Sequence, residues 1–293
     1  MTEKMILTIL TVFAAAVLTA LLRSRWERRQ LETVCYRVSG TGRDKFRVAF
    51  LSDLHDYCRD YGMDGLLAAL RAASPDLVLL GGDMFTCQRS AGWFAEIGPS
   101  SELIRMIAGE YTVIYAEGNH ETRLRKRHPD EFAAFRGRLE DAGIIYLINE
   151  TVLLDGIAIH GISLDETYYR HLFPGFGRKI PMPRDLILKQ LGMPAKDRFN
   201  ILLMHSPLYL EEASEWGADL VLSGHFHGGT IRLPLPGHPG LMTPQYQFFL
   251  KECSGMHESR NGRSKMIVSR GLGTHSVDLR LNDLPEISII ELT

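Results

Sequence analysis

Five short clusters hold the side chains best suited to chemistry: Asp53-Leu54-His55, Gly81-Gly82-Asp83, Gly118-Asn119-His120, Met204-His205 and Gly224-His225-Phe226-His227. Each closes an apolar, β-favouring run, of which Phe46 to Leu51 is the first. Taken singly, each has an ordinary explanation. Asp-x-His recurs by chance, Gly-Asn-His can be a plain turn, His205 ahead of Pro207 can be a packed histidine, and His-x-His can be a chance pair on a loop. Their order, with a strand end behind each, argues for one site. Two Asp, one Asn and several His mix oxygen and nitrogen donors, which suits Mn, Fe, Zn or Co, whereas an all-oxygen set would suit Mg or Ca. The set is too large for one four-coordinate ion. It suits two divalent ions about 3.5–4 Å apart, bridged by a carboxylate and a hydroxide. Residues i and i+2 of an extended chain face the same side, so strand alternation is expected to bring Asp53 and His55 together.

The elements that must position these groups alternate. Strands are expected at Phe46 to Asp53, Asp76 to Leu80, Tyr111 to Ala116, Ile144 to Leu147, Thr151 to Leu154, Ile157 to His160, Asn200 to Met204 and Asp219 to Leu222. Helical spacing covers Met63 to Ala73, Glu102 to Ala108, Pro129 to Ala142, Arg184 to Leu191 and Leu208 to Glu215. Such alternation predicts an α/β fold with a mostly parallel sheet, and ligands gather outside the carboxyl ends of parallel strands. Strand signals return at Thr230 to Leu233, Met266 to Ser269 and Ile287 to Leu292. Leu164 to Phe199 is an irregular excursion carrying Tyr168, Tyr169, Phe173 and Phe176.

Met5 to Leu22 is uncharged, between Lys4 and Arg23. It reaches about 27 Å as a helix, close to a bilayer core of about 30 Å. A single transmembrane helix is the favoured reading, with a cleaved signal peptide or a buried core helix as the alternatives. Arg23, Arg25, Arg28 and Arg29 follow it, which places the rest of the chain on the cytoplasmic side by the positive-inside rule and suits an anionic lipid surface. The organisation expected is an anchor and basic flank at 1–29, a connector at 30–45 with a short strand signal at Thr33 to Val38, and one catalytic domain at 46–293. Across the 293 residues the net charge is -2, so nucleic-acid binding is not expected. Cys35, Cys58, Cys87 and Cys253 lie far apart and are read as free thiols.

The ordered set D-x-H, G-D, G-N-H-E, H and G-H-x-H, with Glu121 after His120, resembles the calcineurin-like metallophosphoesterase superfamily over about residues 46 to 292. The resemblance implies a four-layer α-β-β-α sandwich with a dinuclear site at the strand ends. It implies that Asp53, His55 and His227 hold one ion, that Asn119, His205 and His225 hold the second, and that Asp83 bridges them. His120 would then donate to the phosphoryl oxygens or the leaving group. Gly228 to Pro234, Ser269 to Gly273 and Pro285 to Ile287 resemble a bacterial branch of anchored or exported phosphohydrolases, some acting on UDP-diacylglucosamine-type lipid precursors.

The reaction expected is hydrolysis of a phosphoester or pyrophosphate, the metal-bridged hydroxide attacking phosphorus and His120 acting as general acid. Arg123, Arg125 and Arg127 offer a second phosphate or anionic headgroup a place to bind, unless they are only the solvated start of a helix. The aromatic excursion could meet an acyl chain or simply pack. A lipid-linked substrate at the membrane is the leading reading. A broad phosphomonoesterase or nucleotide phosphodiesterase, and a non-catalytic scaffold, are the rivals.

Overall fold

The computed structural model describes residues 2–40, 45–55, 61–87, 98–169, 179–244, 247–274 and 278–293. Cys58, Phe173 and Phe176 lie outside them. The chain opens with helix α1 (Thr2–Glu27) and strand β1 (Glu32–Val38). It continues through β2 (Phe46–Leu51), α2 (Gly62–Ala73), β3 (Leu77–Leu80), α3 (Gly98–Ala108), β4 (Val113–Ala116), α4 (Asn119–Arg127), α5 (Pro129–Asp141) and β5 (Ile145–Leu147). Then come β6 (Glu150–Leu154), β7 (Ile157–Gly161), α6 (Leu186–Leu191), β8 (Phe199–Leu203), α7 (Leu210–Trp216) and β9 (Leu220–Ser223). Strands β10 (Gly240–Met242), β11 (Phe248–Leu250), β12 (Gly255–Glu258), β13 (Lys265–Val268) and β14 (Glu286–Leu292) complete it.

Two six-stranded sheets carry the fold, in the orders β1-β14-β2-β3-β4-β5 and β12-β13-β9-β8-β7-β6. Strands β2 to β5 run parallel in the first, and β7, β8, β9 and β13 run parallel in the second. Side-chain alternation assigns each strand's two faces to different layers. Val48, Phe50, Leu77, Leu79 and Ile114 meet Ile159, Ile201, Leu203, Leu220 and Leu222 between the sheets. Their alternates Ala49, Leu51, Val78, Leu80 and Val113 face Leu66 and Leu70 of α2, Ile104 of α3 and Phe135 of α5. Leu202, Met204, Val221 and Met266 likewise face Ile187 of α6 and Ala213 and Trp216 of α7. Buried on both faces, the strands read as unbroken apolar runs. The result is the four-layer α-β-β-α sandwich.

Three expectations change. The connector is part of the sheet: β1 pairs in parallel with β14 along its whole length, from Glu32 opposite Glu286 to Val38 opposite Leu292. Thr230 to Leu233 is no strand, and makes only single bridges, Ile231 to Leu281 and Arg232 to Gly240. Pro234 and Pro236 lack the N–H groups a ladder needs, and Thr230 sits at φ 62, so the pairing cannot extend. The segment after Asn119 is a true helix, α4, whose first six residues are all buried.

Helix α1 runs past the uncharged segment into the basic flank because neither Gly nor Pro interrupts it, and Arg23 pairs with Glu27 at 2.7 Å. Among the described residues it is the one helix long and apolar enough to cross a membrane, with a mean hydropathy of 2.6 and none of its apolar stretch buried. Its last turn belongs to the body of the molecule. Ser24 Oγ accepts from Arg280 N–H at 2.9 Å, Glu27 accepts from Asp283 N–H at 3.4 Å, and both side chains are buried.

Candidate metal centre

The carboxyl ends of β2, β3, β4, β8 and β9 converge, and the five clusters stand on them. The chain does not stay extended there. Strand β2 stops at Leu51, and Asp53 and His55 adopt φ 53 and φ 50. Asp83, His225 and His227 are also left-handed, at φ 53, 70 and 47. Tight left-handed turns past the strand, rather than strand alternation, aim these groups inward. Non-glycine residues seldom adopt this conformation, and such strain gathers at functional sites.

Two glycines allow the loops to touch. Gly82 has φ +90, and a Cβ there would meet the Gly118 nitrogen at 2.1 Å. A Cβ on Gly224 would meet Asp53 Oδ2 at 2.2 Å. Backbone and side-chain donors then orient the carboxylates. Asp53 accepts from Ser52 Oγ at 2.6 Å and from His225 N–H at 3.0 Å. Asp83 accepts from His120 N–H at 2.8 Å.

Two imidazoles are fixed by backbone carbonyls. His205 Nδ1 donates to Gly81 O at 2.7 Å, and His227 Nδ1 to Gly273 O at 3.3 Å. Their Nε2 atoms therefore present lone pairs. His205 Nε2 is 3.1 Å from Asp83 Oδ2, His227 Nε2 is 3.3 Å from Asp53 Oδ1, and His55 and His227 bring Nε2 to Nε2 at 3.1 Å. Lone pairs this close to carboxylate oxygens repel unless a proton or a metal cation lies between them, and Nδ1 held by an oxygen with Nε2 turned inward is the arrangement of metal-binding histidines. Asn119 Oδ1 is buried and accepts no hydrogen bond. The donor set thus fits divalent metal. Asp53, His55 and His227 form one group whose ligand atoms lie within 4.8 Å of one another, and Asp83, His205 and His225 form another.

The electrostatics agree. Burial alone would strip the charge from His205, yet the Asp83 and Asp53 carboxylates outweigh it and lift its pKa to about 10. Burial pushes Asp53 up to about 6 against the pull of His205. Burial opposes the charge on Asp83 too, but His205 and His120 hold its carboxyl well below the usual range. The two carboxylates thus hold a proton on His205 against burial, and a metal cation would take the same place.

His120 is turned differently. Its Nδ1 accepts from Cys87 N–H at 2.7 Å, so its proton sits on Nε2, 4.0 Å from Asp83 Oδ2. The three arginines separate. Arg123 is buried, donates to Cys87 O, and pairs with Glu166 at 3.4 Å. Arg125 is held by Glu117 at 3.0 Å and by Ser163 Oγ at 2.9 Å. Arg127 is exposed. Of the aromatic excursion, Tyr169 is placed on the site: its ring lies 5.0 Å from His225 and 5.8 Å from His205.

Two supports surround the ligands, one that the motif named without a role and one that sequence reading missed. Glu121 accepts from the N–H groups of Asp83, Met84 and Gly118 at 2.8, 3.0 and 2.9 Å and from Tyr115 Oη at 2.5 Å. Its place three residues after Gly118, where a helix N-terminus favours Glu, was the available signal. Arg280 is fully buried and donates to the carbonyls of Arg270, Gly271 and Gly273 at 2.8, 3.1 and 2.6 Å. It shapes the loop that meets Asp53 and His227, and nothing in its sequence neighbourhood announces that.

Comparison with known proteins gives a consistent result. The profile of a family described as calcineurin-like phosphoesterase matches residues 46–229. The Bacillus subtilis protein YpbG is 27% identical over 290 residues, covering 97% of this chain and 95% of that one. The Escherichia coli phosphodiesterase YaeI is 27% identical over 255 residues, covering 84% and 82%. Among solved structures, Haemophilus influenzae NAD nucleotidase is similar at TM-score 0.45 and 18% identity over 78% of this chain, which spans about half (51%) of that protein.

Proposed function

Because this chain belongs to the calcineurin-like phosphoesterase family and is a metal-dependent phosphoesterase, we propose that it hydrolyses a phosphodiester or pyrophosphate linkage in a lipid-linked substrate, at a dinuclear metal centre. Asp53, His55 and His227 would hold one ion, Asn119, His205 and His225 the other, and Asp83 would serve both. The observation that carries this reading is the inward turn of histidine Nε2 atoms onto two buried carboxylates. When bound, the two divalent ions neutralise a phosphoryl anion and lower the pKa of water at the site, so that hydroxide is available near neutral pH.

The chain's own groups do the rest. Gly81 O and Gly273 O lock His205 and His227 in the tautomer that faces the ions. Cys87 N–H keeps the His120 proton on Nε2, facing the leaving oxygen. Arg123, 3.5 Å from His120 Nδ1, adds positive potential behind it. Arg125 is committed to Glu117 and Ser163. The ester type follows the E. coli relative, whose name is phosphodiesterase.

Helix α1 is read as a retained membrane span ahead of a catalytic domain at 46–293 whose first sheet also takes in β1. Burial of Ser24 and Glu27 against Arg280 and Asp283 supports a retained helix over a cleaved leader. The basic flank supports a cytoplasmic side for the domain. The test is hydrolysis by the full chain in detergent with added Mn. The expected result is turnover of bis-p-nitrophenyl phosphate above p-nitrophenyl phosphate, falling at least about 100-fold in Asp83→Asn. Equal turnover by Asp83→Asn would refute the dinuclear reading.

A further inference from the structure

Helix α1 and the segment after the last metal-ligand motif share a groove of about 440 Å³, with Ala16, Ala20 and Arg23 on one wall and Ile231, Leu233 and Leu281 on the other. Ala16 lies six residues before Leu22, the end of the uncharged run, so it sits about 9 Å deeper along the helix axis. A loop lying against that depth of a membrane span is at the boundary between headgroups and acyl chains, about 5–10 Å in.

The surface that grows from this loop matches such a place. Leu235 is 52% exposed, Met242 38%, Phe248 51% and Phe249 61%. Met242 and Phe248 are cross-strand partners in the β10–β11 hairpin and so share a face. From Ile231 to Lys251 the sequence contains no Asp or Glu, while Arg232 and Lys251 supply positive charge. Lone exposed apolar residues are ordinary, but four on one small element, flanked by cations and free of acids, are the composition of an interfacial segment.

The hairpin is also tied to both the span and the site. Arg23 donates to Asn282 Oδ1 at 2.6 Å, and Asn282 donates to Arg232 O at 3.0 Å. Arg232 bridges to Gly240 at the start of β10. Gly229, two residues after His227, lies so close to Gly240 that an added Cβ would meet the Gly240 Cα at 2.4 Å.

We propose that segment 231–239 with strands β10 and β11 is a second membrane contact, seated in the interface of the bilayer that α1 spans, which holds the His225–His227 loop at the lipid surface. It rests on the reading of α1 as a retained span. The substrate class it selects is a phosphoryl group presented at the bilayer by its own acyl chains.

The test uses the full chain in vesicles of phosphatidylethanolamine and phosphatidylglycerol. A photoreactive p-benzoylphenylalanine is placed at Phe248, at Leu235, or, as a control, at Met193, which follows α6 and is 72% exposed. After irradiation, mass spectrometry counts lipid adducts, and a carbonate wash reports whether the chain stays embedded. The expected result is a carbonate-resistant chain with at least tenfold more lipid adduct at positions 248 and 235 than at 193. A carbonate-resistant chain with equal adducts at all three overturns the hairpin contact and leaves the span standing. Release by carbonate overturns the span, and the hairpin contact with it.

Discussion

His120 shows how one hydrogen bond assigns a role. Seven neighbouring candidate ligands cluster at a shared centre, but Cys87 N–H at 2.7 Å claims the Nδ1 lone pair of His120 and leaves Nε2 as a donor. A donor is of no use to a metal and of direct use to a departing oxygen. His120→Ala is therefore expected to retain bound metal while losing about 10²- to 10⁴-fold in turnover on an ester with a poor leaving group. Parallel metal analysis and steady-state kinetics check it, and full turnover would remove His120 from the chemistry. Residue types and order made most of this group legible in the sequence, since Asp, Asn and His at successive strand ends have few other uses. The way they converge was not legible. Left-handed backbone at Asp53, His55, Asp83, His225 and His227 is set by the surrounding loops, whereas the local pattern at residues 53–55 pointed to simple alternation.

At the scale of elements, the site depends on loops that must cross without side chains between them, and Glu121 closes that crossing. It gathers N–H groups from the loop after β3 and the start of α4, together with the Tyr115 hydroxyl of β4. Burial pushes its carboxyl up to about 7, against which these four donors favour the charged form. Glu121→Ala leaves four buried donors without their acceptor, so a loss of about 3 kcal/mol or more is expected. Chemical denaturation measures it, and a loss below about 1 kcal/mol would show that water replaces the carboxylate. The central strands of the two sheets, and most of the helices on them, were readable from apolar periodicity because both faces of each sheet are covered. The stretch from Thr230 to Glu258 was not. Its short pairings, Arg232 to Gly240 and β10 to β11, join segments whose own residues carry little strand pattern.

At the scale of the molecule, the amino-terminal helix and the metal centre are mechanically connected. Ser24 receives the Arg280 N–H, and the Arg280 guanidinium holds the carbonyls of residues 270, 271 and 273 beside Asp53 and His227. Sequence separated the anchor from the domain by composition, and read Thr33 to Val38 as a short strand in a connector without a partner. Only the fold joins β1 to β14 and the last turn of α1 to residues 280–283. Ser24→Ala in the full chain should therefore cost about 1–3 kcal/mol of domain stability, because it orphans a buried N–H. Thermal and chemical melts in one detergent read that difference, and no change would mean that the helix end rests on the domain without supporting it.

The central claim is that the converging carboxylates and imidazoles hold two divalent ions. Its most direct test is the metal content of the purified full-length chain, loaded with Mn, desalted and measured by atomic emission, with Asp83→Asn prepared beside it. The account predicts about two ions per chain, and loss of most bound metal in the variant because Asp83 serves both positions. A folded full-length chain that retains no ion after loading would contradict it.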